Sequence, residues 1–348
     1  MSGGKTERLE GTQGIPRAAE ILREGGTVAF PTETVYGLGA NALDAEAVAK
    51  IFAAKERPGW DPVIVHVSDP VMVERVAAIP AARKTQVEAL ITAFWPGPLT
   101  LLLPRTSAVP DAVTAGRRLV GVRMPRHELA LGLIRAAGVP IAAPSANRFG
   151  RTSPTTAAHV LEDLDGRIDA VLDGGSTEVG VESTVIGPAE ECEGWMMYRP
   201  GGVSREELEQ VLGAGMVKVY RPAGNAGTPE SLPSPGVGIR HYAPRARLRL
   251  VSELSLPLEG SLIPAIEEVS REDGTVGVML PEGWESSSAP LVYHWGAWSD
   301  GAGLARRLFA GLRELDEAGA SVIVCPVPEI GGIGEAIRDR LGKAAREK

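Results

Sequence analysis

The sequence predicts an α/β fold in two parts, and three observations support this. Short apolar runs alternate with stretches of helical periodicity through the first two-thirds of the chain, which is typical of strands that alternate with helices. A stretch packed with proline, glycine, serine and asparagine then interrupts the alternation. Beyond it the alternation resumes and predicts a small Rossmann-like, three-layer domain. We therefore place an α/β domain at 10–215, a linker at 216–246 and a C-terminal domain at 247–348.

Apolar runs and periodicity predict the individual elements of the first domain. Asp44 can cap the helix that follows it, and Gly138 can end the helix before it. The predicted strands are 27–30, 63–67, 100–103, 119–124, 140–143, 168–172 and 184–186, and the predicted helices are 45–54, 81–93, 128–137, 155–164 and 205–212.

The C-terminal part has its own pattern of strands and helices. Strands are predicted at 248–251, 276–280, 291–293 and 321–325, and helices at 263–270, 304–318 and 334–345.

Composition excludes several classes of protein. The net charge of −8 and the aromatic content of 5% argue against a stacking platform for single-stranded nucleic acid. Cys192 and Cys325 are too far apart to form a zinc motif or a disulfide framework. No run approaches the roughly 20 apolar residues that cross a bilayer, and the polar first residues do not resemble a signal peptide. We expect a cytoplasmic protein with no membrane contact.

Three glycine-containing fragments resemble nucleotide motifs but lack the context that such motifs need. Gly4-Lys5-Thr6 has no preceding strand or upstream glycine, so it does not predict a P-loop. The glycines of 37–42 have Asp61 about twenty residues on, yet Asp61 lies in a loop and not at the end of a second strand. The glycines of 331–334 precede the last helix and could bind an anion there, although such glycines more often form a turn.

Polar side chains interrupt apolar context at several other places. The segment 31–38 puts two threonines and a glutamate after a strand, where ligands bind in open sheets, or where they form a polar turn. Lys55 and Arg57 end a helix ahead of a strand that carries His66. Together these groups suit a triphosphate, although the cations could be solvated and the histidine could be part of the core.

Two further segments could bind a ligand. Arg123 lies inside an apolar strand, where it must meet either a protein carboxylate or a ligand carboxylate. In the segment 142–154 small residues would let a ligand approach the backbone, and hydroxyl and amide groups could hold phosphate and Mg²⁺. Downstream, 181–186 places two hydroxyls at the start of another strand.

Taken in order, these segments resemble the YrdC-type threonylcarbamoyl-AMP synthases. The resemblance covers about residues 10–215, and the segment 234–244 resembles the linker of the family's long form, which returns as a flap over the active cleft. It implies an N-terminal domain with a twisted mixed sheet and helices. The motifs are Pro-Thr-Glu-Thr-Val-Tyr-Gly-Leu at 31–38, Lys-x-Arg-Pro at 55–58, the strand ending at His66, Arg-x-Pro at 123–125, Pro-Ser-Ala-Asn at 144–147, Ser-Pro-Thr at 153–155, Glu-Ser-Thr-Val at 182–185 and Arg-Pro-Gly at 199–201.

The resemblance also implies a role for individual residues. Asp61 and Leu119 stand where the family usually has asparagine and threonine, so those two contacts depart from the pattern. The implied threonine site is Thr34, His66, Arg123, Ala143 and Ser183. The implied ATP site is Arg57, Asp61, Leu119, Ser145, Asn147, Ser153, Arg199 and Tyr242, with Lys55 and Arg57 as the catalytic cations.

The implied reaction joins L-threonine, bicarbonate and ATP into threonylcarbamoyl-AMP and pyrophosphate, with Mg²⁺ accompanying ATP through the phosphates. It serves the threonylcarbamoyladenosine modification of tRNA, so a downstream tRNA threonylcarbamoyl transferase is an expected partner, and direct contact with tRNA is a further possibility. The alternatives are a double-stranded RNA or tRNA-binding module, a carbamoyl-transfer enzyme of the hydrogenase-maturation type, and a regulatory nucleotide sensor. The two isolated cysteines argue against the second of these.

Overall fold

We analysed a computed structural model of the chain. It describes residues 5–189, 194–221, 234, 241–252, 260–271, 274–286 and 289–346. Cys192 and most of the predicted linker (222–233 and 235–240) therefore lie outside the described residues. The chain divides into two compact units, the first formed by Met1–Phe149, Pro154–Glu178 and Glu182–Gly238, and the second by Gly150–Ser153, Val179–Val181 and Ile239–Lys348.

The first unit is built on one mixed sheet, with eleven strands in the described part of the chain, which confirms the predicted α/β class. Its order is β1-β8-β2-β3-β7-β4-β6-β5-β9-β10-β11, with parallel and antiparallel neighbours interleaved. The strands are β1 (Glu7–Glu10), β2 (Val28–Phe30), β3 (Gly37–Asn41), β4 (Ile64–His66), β5 (Leu99–Pro104), β6 (Leu119–Arg123), β7 (Ile141–Ala142), β8 (Ala170–Asp173), β9 (Thr184–Pro188), β10 (Trp195–Arg199) and β11 (Val217–Val219).

The α-helices that accompany this sheet have ends that follow local rules. The Asp44 side chain accepts hydrogen bonds from two backbone N–H groups of the helix it precedes, and Gly138 ends another helix in a left-handed conformation (φ 69°). The helices are α1 (Ile15–Arg23), α2 (Ala45–Lys55), α3 (Pro70–Val76), α4 (Lys84–Phe94), α5 (Asp111–Thr114), α6 (Glu128–Ala137), α7 (Ala157–Leu164) and α8 (Arg205–Leu212).

The first unit differs from the sequence-based expectation at both of its ends. Strand β1 begins at Glu7, before the predicted start of the domain, and pairs in parallel with β8. Strand β11 lies within the predicted linker and pairs in parallel with β10. Both are short edge strands without a clear apolar alternation, so only their pairing partners define them.

Short strands lie side by side in the buried core of the first unit. Apolar side chains from β2, β4, β5 and β6 are almost completely buried, together with those of α1, α2 and α6. Strand β4 has only three residues, and it lies between β7 and β6. Its two ends are therefore only about 7 Å apart. Polar residues at either end can reach the same ligand.

The second unit has a parallel sheet in the order β12-β15-β13-β14, in agreement with the predicted Rossmann-like domain. Helix α9 contacts β15, α10 contacts β13 and β14, and α11 contacts β12 and β15. The elements are β12 (Arg247–Ser252), α9 (Ile263–Val269), β13 (Val276–Pro281), β14 (Leu291–Gly296), α10 (Gly301–Glu317), β15 (Val322–Val327) and α11 (Gly334–Ala344).

None of the helices among the described residues is both long and apolar enough to cross a bilayer.

Candidate active site

A buried ion pair joins the segment after β2 to the end of β6. Arg123 Nη2 donates to Glu33 Oε2 at 2.5 Å, and Arg123 Nη1 donates to Thr34 Oγ1 at 3.0 Å. The Arg123 and Glu33 side chains are only 4% and 0% exposed. Of the two predicted partners of Arg123, a protein carboxylate or a ligand carboxylate, the structure shows the first, and it is Glu33. Arg123 Nε and Glu33 Oε1 are buried without hydrogen-bond partners among the described residues, which leaves one donor and one acceptor for a ligand.

His66 ends β4 and is the register partner of Arg123 on the neighbouring parallel strand. Burial, and then the Arg123 charge, lower the pKa of His66 to about 3. The imidazole is therefore neutral at physiological pH. Its Nδ1 is buried with no hydrogen-bond partner in the described part of the chain, and its ring meets that of Phe30 edge-on with 6.1 Å between centroids. A neutral ring can orient a ligand by hydrogen bonding without adding charge.

Ser183 and Arg199 form a second cluster of buried polar groups, close enough for the Arg199 charge to affect Arg123. Arg199 Nε donates to the Ser183 carbonyl at 3.0 Å, and Arg199 Nη2 donates to Ser183 Oγ at 3.1 Å. Ser183 Oγ also lies 2.8 Å from Thr100 Oγ1 on β5. Gly201 permits this arrangement, because a Cβ at that position would lie 2.3 Å from the Glu182 carbonyl oxygen.

The charges of Arg123 and Arg199 lie close enough to affect each other. Arg123 and Arg199 are both buried, and no ion pair of Arg199 occurs within the ranges that the structure describes. Burial and the charge of Arg199 lower the pKa of Arg123, whereas Glu33 raises it. The charges of the two guanidinium groups therefore oppose each other, and an anionic ligand between them would be stabilised by both.

Lys55 lies at the end of α2 and holds a loop in place. Its ammonium group donates to the carbonyl oxygens of Ser145, at 2.5 Å, and Asn147. The side chain is buried, and desolvation, followed by the charge of Arg57, lowers its pKa. Two of its three donors are thus engaged by the backbone, and one remains for a ligand.

Arg57 is paired with Asp61 in the loop ahead of β4. Arg57 Nη2 lies 2.9 Å from Asp61 Oδ2 and donates to the Pro62 carbonyl at 2.8 Å, with both charged side chains almost completely buried. Asp61, which stands where asparagine is usual, therefore has a cationic partner within its own loop. The guanidinium also lies over the Phe149 ring, 6.0 Å from its centroid.

The loop that contains Ser145 and Asn147 is fastened to the start of β3. Ala146 N donates to the Tyr36 carbonyl and Leu38 N donates to the Pro144 carbonyl, both at 2.8 Å. Ser145 Oγ donates to Asn147 Oδ1 at 2.5 Å. These contacts connect the Lys55 cluster with the segment that carries Thr34.

Space is tight where this loop meets β3, and the predicted site residue Ala143 is the nearest neighbour of Gly37 there. A Cβ on Gly37 would lie 3.2 Å from the Ala143 Cβ. Ala143 N donates to the Ile64 carbonyl at 2.8 Å, so Ala143 lies at the opposite end of β4 from His66. The short strand brings the two predicted positions to one region of the unit.

The structure also places three further predicted site residues. Leu119 begins β6 and packs against an apolar cluster that includes Ile64. Ser153 and Tyr242 belong to the second unit, where Ser153 is fully buried. The Tyr242 ring is buried within that unit. It stacks on Phe309 at 5.8 Å and lies 5.0 Å from the Arg340 guanidinium carbon, with the Tyr242 backbone in a left-handed conformation (φ 66°).

Three residues without an individual predicted role, Thr32, Glu33 and Thr100, each contact a predicted site residue. The motif at 31–38 already contained the first two, and their position directly after a buried strand was the available signal. Nothing in the local sequence distinguishes Thr100 from an ordinary strand residue, because its role depends on pairing with β9.

No cluster of three or more histidine, cysteine, aspartate or glutamate residues that could hold a metal is found among the described residues. The buried cations suit an anionic ligand.

The fold and the site define an α/β enzyme with a buried anion pocket, and comparison with known proteins identifies its family. The Sua5–YciO–YrdC family profile, described as "Telomere recombination", matches residues 20–201. The profile described as "Threonylcarbamoyl-AMP synthase, C-terminal domain" matches residues 203–346.

Full-length relatives agree with both profiles. The threonylcarbamoyl-AMP synthase of Pyrococcus abyssi is 42% identical, over 97% of this chain and 96% of the relative. That of Bacillus subtilis is 43% identical, over 95% and 92%. A crystal structure of P. abyssi Sua5 complexed with L-threonine superposes with a TM-score of 0.86 at 41% identity, covering 98% of this chain and 97% of the other. The chain belongs to the threonylcarbamoyl-AMP synthase family, in its long form with the Sua5-type C-terminal domain.

Proposed function

We propose that the protein is an L-threonylcarbamoyladenylate synthase, a nucleotidyltransferase that converts L-threonine, bicarbonate and ATP into threonylcarbamoyl-AMP and pyrophosphate. The observation that carries this proposal is the buried Arg123–Glu33 ion pair, which leaves Arg123 Nε without a hydrogen-bond partner among the described residues, with the charge of Arg199 close by. A buried guanidinium donor beside a second arginine favours the carboxylate of an amino acid. The relatives support the same substrate, since one structure was solved with L-threonine.

The proposed chemistry has two steps. The amine of threonine and bicarbonate first give the N-carboxy compound, a carbamate, with loss of water. A carbamate oxygen then attacks the α-phosphorus of ATP, the bond from that phosphorus to the bridging oxygen breaks, and pyrophosphate leaves. No side chain has to act as a nucleophile. Catalysis consists of bringing two anions together and neutralising their charge.

The residues divide between the two substrates. Thr34, His66, Arg123, Ala143 and Ser183 would hold threonine, with Arg123 Nε free to donate to its carboxylate. Neutral His66 suits an orienting hydrogen bond better than a charge contact.

Lys55 and Arg57 would face the ATP phosphates. Lys55 retains one N–H after its two backbone contacts, and Arg57 is held in position by Asp61. Because Lys55 is desolvated beside Arg57, a phosphate would favour its charged form. We assign further ATP contacts in the first unit to Ser145, Asn147 and Arg199, together with the backbone of Leu119.

Magnesium would arrive with ATP, bound through phosphate oxygens, and would supply further charge neutralisation at the leaving pyrophosphate. The product is a mixed anhydride that a downstream tRNA threonylcarbamoyl transferase would consume. We expect the reaction to take place in the cytoplasm, where ATP and tRNA are available.

The test is pyrophosphate release by the purified protein with ATP, Mg²⁺ and bicarbonate, in the presence of each of several amino acids. We expect release that depends on L-threonine, and its loss in Arg57→Ala and in Arg123→Ala. Arg126→Ala is the matched control, because the Arg126 side chain is 60% exposed. Threonine-independent release, or normal turnover in both buried-arginine variants, would refute the proposal. RNA binding without threonine-dependent turnover would support the RNA-binding alternative.

A further inference from the structure

Thr32 lies two residues before Thr34 of the threonine pocket, and both side chains are almost completely buried. Thr32 Oγ1 lies 2.7 Å from the Val35 carbonyl oxygen and 2.8 Å from Thr34 Oγ1. Thr34 Oγ1 in turn receives a hydrogen bond from Arg123 Nη1 at 3.0 Å. These three contacts form one chain of hydrogen bonds that ends on a predicted substrate residue.

The directions of these hydrogen bonds follow from counting protons. The Val35 carbonyl oxygen can only accept, so the hydroxyl of Thr32 must donate to it. Thr32 Oγ1 also accepts from the backbone N–H groups of Thr34, at 3.2 Å, and Val35, at 3.3 Å. Because Thr32 has no second hydroxyl proton, the proton between the two threonine oxygens belongs to Thr34. The hydroxyl of Thr34 donates to Thr32 and accepts from Arg123. It has one lone pair left and no proton to give.

We infer that Thr32 is a specificity-determining residue: by accepting the Thr34 proton, it makes Thr34 Oγ1 an obligate acceptor that selects a ligand with a hydroxyl donor. The inference rests on the proposed function, because it takes the amino acid to be the ligand. A free hydroxyl could serve either as donor or as acceptor, and Thr34 alone would not discriminate between them. The Thr32 contact removes that freedom.

The donor that this acceptor takes is a neutral hydroxyl. Arg123 Nη1 is 3.0 Å from Thr34 Oγ1, so an ammonium bound to the same oxygen would lie close to a guanidinium. A neutral O–H group avoids this repulsion. An amino acid with a hydrogen or a methyl group in place of the side-chain hydroxyl would leave the Thr34 lone pair buried and unpaired, which costs binding energy.

Thr32→Val tests the inference, because it keeps the side-chain shape and removes the hydroxyl. We expect KM for L-threonine to rise by about tenfold or more, because the change removes the acceptor of the Thr34 hydroxyl and of the Thr34 and Val35 N–H groups. We expect kcat to change less, and the preference for L-threonine over L-2-aminobutyrate in kcat/KM to fall by a similar factor. Thr32→Ser, which restores the hydroxyl, should recover both values.

Two controls make the result decisive. Thr106→Val removes a hydroxyl that binds the Arg75 carbonyl at 2.8 Å in a distant turn, and it should leave both values unchanged. Thermal unfolding of each variant reports whether it is folded. Unchanged selectivity in folded Thr32→Val, or equal losses in the valine and serine variants, would overturn the inference.

Direct titration of L-threonine and L-2-aminobutyrate by calorimetry separates this inference from the proposed reaction. If the wild type binds threonine selectively but releases no pyrophosphate, the reaction is wrong and the role of Thr32 is still tested by the same titration. If the wild type releases pyrophosphate and Thr32→Val binds both amino acids with wild-type affinities, only the role of Thr32 is wrong.

Discussion

Arg123 and Glu33 are ninety residues apart in the chain and form a buried ion pair in the candidate site. Neither side chain could be buried alone without a large desolvation cost. The pair therefore serves two purposes: it fixes the orientation of the guanidinium, and it reduces the charge that the ligand must balance.

Glu33→Gln should destabilise the protein, because it leaves the buried Arg123 charge without its counter-ion. Removing one partner of a buried pair typically costs about 3 kcal/mol or more. Chemical denaturation monitored by circular dichroism measures this loss. Glu88→Gln is the matched control, since Glu88 is exposed and its nitrogen–oxygen distance to Lys84 is 3.8 Å. Equal losses of unfolding free energy in the two variants would contradict the prediction.

Lys55→Met should reduce activity through the loop that carries Ser145 and Asn147. The change removes two charge-assisted hydrogen bonds, each worth about 1.5–3 kcal/mol. We expect KM for ATP to rise, pyrophosphate release to fall by at least about a hundredfold, and the loop to become more accessible to limited proteolysis. Lys50→Met is the control, because Lys50 is exposed on the same helix and its ammonium donates to the Gly25 carbonyl. A Lys55 variant that keeps normal kinetics would show that the loop does not depend on it.

Acid should destabilise the protein partly through His66. Its pKa is about 3 in the folded protein, against 6.5 for the ordinary group, so below about pH 6 the unfolded chain binds a proton that the folded chain excludes. Stability therefore rises with pH across this window and falls as the pH is lowered through it.

Measuring unfolding free energy between about pH 6 and pH 4 should show the contribution of this histidine. We expect the wild type to lose up to about 1.4 kcal/mol per pH unit more than His66→Asn, which cannot take up that proton. Parallel pH profiles for the two proteins would mean that His66 titrates normally in the folded state.

Gly201→Ala should displace Ser183, although Gly201 itself is not a predicted ligand-binding residue. The added Cβ would lie 2.3 Å from both the Glu182 carbonyl oxygen and the Thr184 nitrogen, so the segment that carries Ser183 must move. We expect weaker threonine binding by calorimetry and a lower melting temperature. Gly59→Ala should change neither, since nothing among the described residues lies within 4 Å of a Cβ at Gly59. A wild-type affinity of the Gly201→Ala variant for L-threonine would show that the backbone at Gly201 does not determine the position of Ser183.

The elements with strong apolar patterns were predictable from the sequence. The helix at 205–212 was predicted with its observed bounds, because a Ser204–Glu207 capping box defines its start and Gly213 follows its end. The strand at 119–124 was predicted to within one residue. In these segments the local preference for helix or strand agrees with the pattern of burial. The elements could therefore be predicted without knowing their partners in the fold.

Strand β3 was missed for the opposite reason. Gly37–Asn41 has two glycines and no β-branched residue, and so it resembles a turn. A Cβ on Gly39 would lie 2.7 Å from both the Phe30 ring and the Ile141 side chain, so the strand is glycine-rich because its neighbours fill that space. Only the sheet order reveals this.

The candidate site was predictable as a set of residues but not as a network. The sequence indicated that Arg123 needs an anionic partner, yet it could not choose Glu33, because the choice depends on how β2 and β6 lie in the sheet. The same holds for Lys55, whose carbonyl partners lie in a loop ninety residues downstream.

The interleaved strand order also has a consequence for synthesis on the ribosome. Strand β5 pairs with β9 and strand β1 pairs with β8, so the earliest segments must wait for partners made much later. A nascent chain that has not yet emerged as far as Arg199 exposes unsatisfied strand edges and lacks part of its candidate site. Premature termination upstream of β9 should therefore yield an aggregation-prone fragment and not a smaller working catalyst.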